Sequence, residues 1–213
     1  MFRSRKARQW RTLALILARD HAKTTASLEE LIEHRPTRTT ALLWAVIAHS
    51  HNHQTADAVK RLTEAVQEAR PGTGDAPENG AGIEDMDDQG LYDRAINAVA
   101  LGDLAKANIL FRALLGRSPE AGDVPVWLAL LAAAGGHWTA ARDQLKDSCQ
   151  TGSLRSKALA HHLASVVYAL EDRPDLMIQS MLTGQRLRSR GSLGAHTTTQ
   201  PQRDVTWFSD RMK

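Results

Sequence analysis

Residues 101–120 read "LGDLAKANILFRALLGRSPE". Gly102 and Asp103 make a turn, Leu104, Ala107, Phe111 and Leu114 fall on one helical face, and Pro119 closes the segment. Apolar residues at i, i+3, i+4 and i+7 specify an amphipathic helix. Whether this unit stands alone or recurs decides the fold.

It recurs. Stepping 34 residues from Gly102 reaches Gly136, and the same step carries Ala107 to Ala141, Phe111 to Leu145 and Leu114 to Ser148. Upstream, "LLWAVIAHSHNHQTADAVKRLTEAVQEARP" supplies Trp44, Ala58 and Leu62 at the matching places, and Trp10 lies 34 residues before Trp44. The first copy runs through Leu28 and Leu31 to Pro36. A fifth, degenerate copy occupies "ALAHHLASVVYALEDRPDLMIQSMLTGQ". A period near 34 is that of stacked helix–turn–helix units.

On these residues the chain resembles tetratricopeptide-repeat proteins over roughly residues 5–190, outside an acidic insertion. The unit at 88–121 carries the pattern best, with Ala95, Gly102, Asp103, Ala107, Phe111 and Pro119. Other units depart from it: Thr24 stands where the second-helix alanine belongs, Val46 replaces the small first-helix residue, and Leu176 with Ser180 weaken the last copy. The resemblance implies an all-α, right-handed α-solenoid of about five hairpins, interrupted by an acidic linker. One hairpin cannot cover its own apolar stripe, so stacking is required, and it is expected to give a concave face built from the first helix of each pair.

Composition agrees with helices. Apolar residues make up 42% and aromatics 5%, with alanine and leucine dominant, and Cys149 is the lone cysteine, so no internal disulfide forms. The apolar run "LALILA" before Arg19 is too short for a signal or a span, which leads to the expectation of a cytoplasmic protein. The domain organisation expected is 1–71, two hairpins; 72–90, an acidic linker; 91–190, three hairpins; and 191–213, a polar tail. Residues 72–93 hold seven acids and no base, whereas 1–71 hold 12 Lys/Arg against seven Asp/Glu.

Chemistry is sparse. "HSHNH" places His49, His51 and His53 close together, but only His49 and His53 share a helical face, and the register sets His53 in a turn. Solvated histidines are the better reading than a metal site. Nucleotide-binding, nucleophile-elbow and metalloprotease motifs are missing, Cys149 sits near a helix C-terminus that disfavours the thiolate, and Glu84, Asp85, Asp87 and Asp88 lack the spacing of a calcium loop. No catalytic residue, metal or cofactor is therefore expected, and the chain reads as a non-enzyme.

What the resemblance implies is a protein-interaction module, whether adaptor, chaperone-like scaffold or assembly subunit, holding a peptide or helix of another protein in its groove. The family's carboxylate-clamp members use Lys and Asn on successive first helices. Here Tyr92, Ile96, Val126 and Leu130 stand there, with Val99, His161, Ser165 and Tyr168 completing the expected lining, which favours an apolar or amphipathic ligand. Trp207 and Phe208, in the otherwise polar tail, read as an apolar anchor. Trp10, Trp44 and Trp127 read as interhelical packing. The rival class is a nucleic-acid-associated factor using Arg3, Arg5, Lys6, Arg8 and Arg11 with Arg186, Arg188 and Arg190, clusters expected at opposite ends of the array.

Overall fold

The computed structural model describes residues 5–69, 83–119 and 122–194. They form ten α-helices in five hairpins, with no strand among the described residues: α1 (Arg5–Leu17) with α2 (His21–Glu33), α3 (Arg38–His51) with α4 (Thr55–Ala69), α5 (Asp88–Ala100) with α6 (Leu104–Arg117), α7 (Val124–Ala134) with α8 (Trp138–Ser148), and α9 (Leu154–Leu170) with α10 (Pro174–Gly194).

Every hairpin closes on the same turn. The residue that reverses the chain is left-handed in all five: Arg19 (φ 55°), His53 (58°), Gly102 (79°), Gly136 (80°) and Asp172 (58°). Its N–H donates to the carbonyl three residues back, and the next N–H donates to the carbonyl five back. In the third hairpin these bonds are Gly102 to Val99 (3.0 Å) and Asp103 to Ala98 (2.9 Å). This pair of bonds satisfies the orphan carbonyls of the first helix. The following aspartate then caps the second helix in two hairpins, Asp20 accepting from Lys23 N–H (3.1 Å) and Asp103 from Lys106 N–H (3.0 Å).

Each helix packs on its neighbours in the chain, but the hairpins do not form a simple row. α1 also packs against α9, α3 against both α7 and α9, and α4 against α7. The reason lies in the helices. Thr40 to Ala48 of α3 are buried without a break, as are Val126 to Leu131 of α7 and His162 to Val167 of α9. A helix that is buried on every side has no face to offer water. α4, by contrast, buries Ala58, Leu62, Ala65, Val66 and Ala69 and leaves its other face to solvent. The result is a helical, repeat-like bundle with α3, α7 and α9 inside.

This corrects the expected open concave face. In a solenoid each unit touches only its neighbours, whereas here the first hairpin meets the fifth, and the second meets the fourth and fifth. Two boundaries also move. Residues 83–90 are not linker: a 3₁₀ turn (Ile83–Asp85) leads into α5, Asp87 caps it by accepting from Gly90 N–H (2.7 Å), and Arg117 donates to the Ile83 carbonyl (2.6 Å). At the other end α10 runs to Gly194, four residues into the expected tail. The rest of the acidic segment, and the anchor residues Trp207 and Phe208, lie outside the described residues.

The tryptophans pack between helices as expected: Trp44 and Trp127 are buried and Trp10 is half-buried against the core. Phe111 is fully buried on α6 with its ring parallel to that of Trp127 on α7, centroids 6.0 Å apart. Phe111→Ala is expected to cost about 3–5 kcal/mol, read as a lowered denaturation midpoint. The repeated turn gives a second prediction. A methyl at Gly102 would meet nothing within 4 Å, so Gly102→Ala carries only the backbone cost of the left-handed conformation, about 1–2 kcal/mol. His53→Gly should return a comparable amount, and a chevron or equilibrium urea series on both variants checks the pair.

Candidate functional site

The residues expected to line a groove sit inside the bundle. Tyr92, Ile96, Val99 and Ser165 are fully buried, and Val126 and Leu130 are 1% exposed. His161 and Tyr168 are half-buried and already engaged. The His161 Nδ1 lies 3.0 Å from Ser180 Oγ on α10, burial holding the imidazole below its ordinary pKa, and the Tyr168 ring lies under Lys146 Nζ at 5.4 Å. Six of the eight, Tyr92, Ile96, Val99, Val126, Leu130 and Ser165, are therefore core rather than ligand surface. Those on α7 and α9 are core because these helices pack on α3 and on each other, while His161 and Tyr168 keep partial exposure.

Within that core stands an ionisable carboxyl for which the sequence carries no motif. Asp123, just before α7, is 2% exposed, and the Tyr92 hydroxyl donates to its carboxylate at 3.0 Å. Trp127 Nε1–H donates in turn to the Tyr92 oxygen at 2.9 Å, and the Tyr92 ring meets Phe111 edge-on. Desolvation pushes the Asp123 carboxyl up to about 7, against the hydrogen bond from Tyr92, and pushes the Tyr92 phenol well above its usual value. The chain links α5, the α6–α7 connection and α7. With Tyr92 and Asp123 both buried, it fixes where these helices meet.

The three clustered histidines have separate surroundings, and the thiol is buried. His49 Nδ1 pairs with Gln54 Oε1 (2.9 Å), His51 meets Trp138 edge-on (5.0 Å), and His53 is the left-handed turn residue. Among the described residues no group of three or more His, Cys, Asp or Glu is placed to hold a metal. Cys149 is buried, and desolvation raises its thiol to about 12, so it stays protonated at neutral pH.

Two clefts among the described residues bear on function. The smaller, about 300 Å³, lies between α2 and α3 and is lined by His21, Thr24, Leu28, Glu29, His49 and Gln54, among others. Thr24 is the residue standing in the alanine register of Ala58, Ala107 and Ala141, all three fully buried, and its hydroxyl is buried without a hydrogen-bond partner.

The larger cleft, about 640 Å³, opens where α1 meets the end of α10, lined by Lys6, Leu182, Gln185, Arg186, Ser189 and Arg190. This overturns the expectation that the terminal basic clusters lie at opposite ends. Contact of α1 with α9 carries Lys6 to the flank of α10. The clusters are not pooled whole, however, because Arg8 and Arg11 turn to Glu30 on α2 (3.9 and 3.3 Å). Along α10, Ile178, Leu182, Arg186 and Arg190 follow one another at i+4 spacing and are all exposed, the first two by 43% and 44%. Successive i+4 positions form one stripe that winds gently round a helix. The sequence displays that spacing; the contribution of Lys6 it does not. No family model, curated protein or solved structure matches the chain.

The buried carboxyl yields a pH prediction with a definite sign. Its folded-state pKa, about 7, lies above the ordinary 3.8, so the native state holds the proton more firmly than the unfolded chain. That contribution is complete below pH 3.8 and is lost as pH rises through 7, on the order of 4 kcal/mol in all. Wild-type stability should therefore fall between pH 5 and pH 8, and Asp123→Asn, which keeps an acceptor for Tyr92, should flatten that slope. Melting curves across the range check it: parallel slopes for the two proteins would contradict the assignment.

Proposed function

We propose that the chain is a degenerate tetratricopeptide-type repeat protein acting as a non-enzymatic, cytoplasmic protein-interaction module, an adaptor, chaperone-like scaffold or assembly subunit, whose binding surface is the outside of the bundle. Five copies of one hairpin turn, two pairs of them 34 residues apart, support the repeat reading. The right-handed sense is taken from the resemblance alone; an array that closes on itself, rather than an open solenoid, accommodates the contacts of α1 with α9 and of α3 with α7 and α9.

The observation that carries the interaction reading is the exposed pair Ile178 and Leu182, one turn apart on the outer face of α10. Single exposed apolar residues are ordinary, but two at i, i+4 on one face form the anchor pattern by which a helix engages another helix. Among the described residues no helix is long and apolar enough to cross a membrane, so a bilayer-spanning role does not account for them.

A nucleic-acid-associated role is the second reading, favoured by Lys6, Arg186 and Arg190 lining one cleft. The two separate in one experiment. Tagged full-length protein and an Ile178→Asp/Leu182→Asp variant are used to recover partners from the native host, in washes from about 50 to 200 mM salt, a span over which phosphate-driven complexes weaken steeply. The interaction reading expects protein partners that survive the salt and vanish with the double variant, while circular dichroism stays unchanged. Recovery of the same partners by both proteins would refute it; recovery of nucleic acid lost with salt would favour the second reading.

A further inference from the structure

The α1–α10 cleft has an uneven chemistry. Among the described residues its lining holds three cationic side chains, Lys6, Arg186 and Arg190, all exposed, together with Leu182, Gln185 and Ser189, and no carboxylate. The Gln185 side-chain amide adds a donor, its Nε2 buried and without a hydrogen-bond partner. Lys6 stands in the first turn of α1, where the aligned peptide dipoles add positive potential. On α10 the stripe is apolar at Ile178 and Leu182 and cationic at Arg186 and Arg190, and the span from the first to the last of these is about 18 Å at 1.5 Å per residue. The exposed face is thus split end to end, apolar then cationic, with donors gathered at the cationic end.

We infer that this face binds an amphipathic helix of a partner protein, whose apolar half covers Ile178 and Leu182 and whose acidic half sits in the cleft against Lys6, Arg186, Arg190 and the Gln185 amide. The inference rests on the interaction reading above and adds the chemistry of the partner. A helix uses both halves of the stripe, since i, i+4 apolar residues seat on the Ile178–Leu182 pair while carboxylates accept from two guanidinium forks. A nucleic-acid strand would use the cations alone and leave the apolar pair in water. Nor do the described residues of the cleft offer an aromatic ring on which bases stack. Complementary charge also fixes the direction of docking, because reversing the helix sets its carboxylates over leucine and isoleucine and leaves the arginines unanswered.

The test is selection of a displayed library of helical peptides against the immobilised full-length protein. The expected binders carry an apolar stripe at one end and Asp or Glu clustered at the other. Binding should fall at least about tenfold in a Lys6→Glu/Arg186→Glu/Arg190→Glu protein, the loss expected when attractive charge pairs become repulsive. It should fall similarly in Ile178→Asp/Leu182→Asp. Circular dichroism checks the fold of both, and an Arg186→Gln/Arg190→Gln protein serves if the reversal disturbs it. Binders without acidic residues that depend only on Ile178 and Leu182 would overturn the inference while leaving the interaction reading intact. If none depends on α10 at all, both fall. An oligodeoxythymidine probe is run beside them, and if it binds and competes with the peptides through Lys6, Arg186 and Arg190, the cleft belongs to nucleic acid and the inference is refuted.

Discussion

The mutual packing of α3, α7 and α9 is the constraint on which the rest of this molecule depends. Each is buried on nearly every side, and none can be covered by its own hairpin partner, which shields one face only. The three shield one another, and in doing so they draw non-neighbouring hairpins together. Once α3 lies on α7 and α9, the amphipathic second helices are left to form the outside, and α1 is brought to α9. The burial of the expected groove residues on α7 and α9 and the cleft beside Lys6 and the end of α10 are two results of one packing arrangement.

Polar groups inside that packing differ in how they are satisfied. Tyr92, Asp123 and Trp127 form a hydrogen-bonded chain across α5 and α7. Buried polar groups of this sort are tolerated when every member finds a partner, and their directional geometry sets where the start of α7 sits relative to α5. The Trp44 indole N–H, by contrast, is buried with no partner, a place where apolar filling outweighed hydrogen bonding. Both cases follow from the size of the aromatic payload: an alanine-rich set of helices needs large side chains to fill the space between them, and each brings its polar atom along.

Much of the fold was legible in the sequence, for definite reasons. The left-handed positions Gly102 and Gly136 were visible because glycine advertises that conformation; Arg19, His53 and Asp172 adopt it too, but as ordinary residues they announced nothing. The turn at His53 was reached through the 34-residue register alone. What misled was the treatment of the first helices as groove walls. "LLWAVIA" (42–48) and "VWLALLAAA" (126–134) are apolar all round, which marks helices enclosed on every side, and the repeat pattern outweighed that signal. Closure was the harder matter, since contact between α1 and α9 depends on the summed rotation of five hairpins, a quantity no local window contains. Lys6 and Arg190 could not be paired from sequence for that reason, although the i+4 stripe on α10 could have been read.

The contact between the first hairpin and the last also alters what kind of folding unit this is. An open row of repeats melts piecemeal, with ends fraying and any few neighbours able to stand alone. Here α1 finds one of its partners in α9, more than a hundred residues along the chain, and such separation makes formation slower and more concerted. On the ribosome the early hairpins wait with α3 uncovered until α7 and then α9 have emerged, so the apolar interior is sealed only once the fifth hairpin has been made. Repeats can be added to or removed from an open array at little cost; here the contact of α1 with α9 ties the first hairpin to the fifth, so the number of hairpins between them is part of the structure.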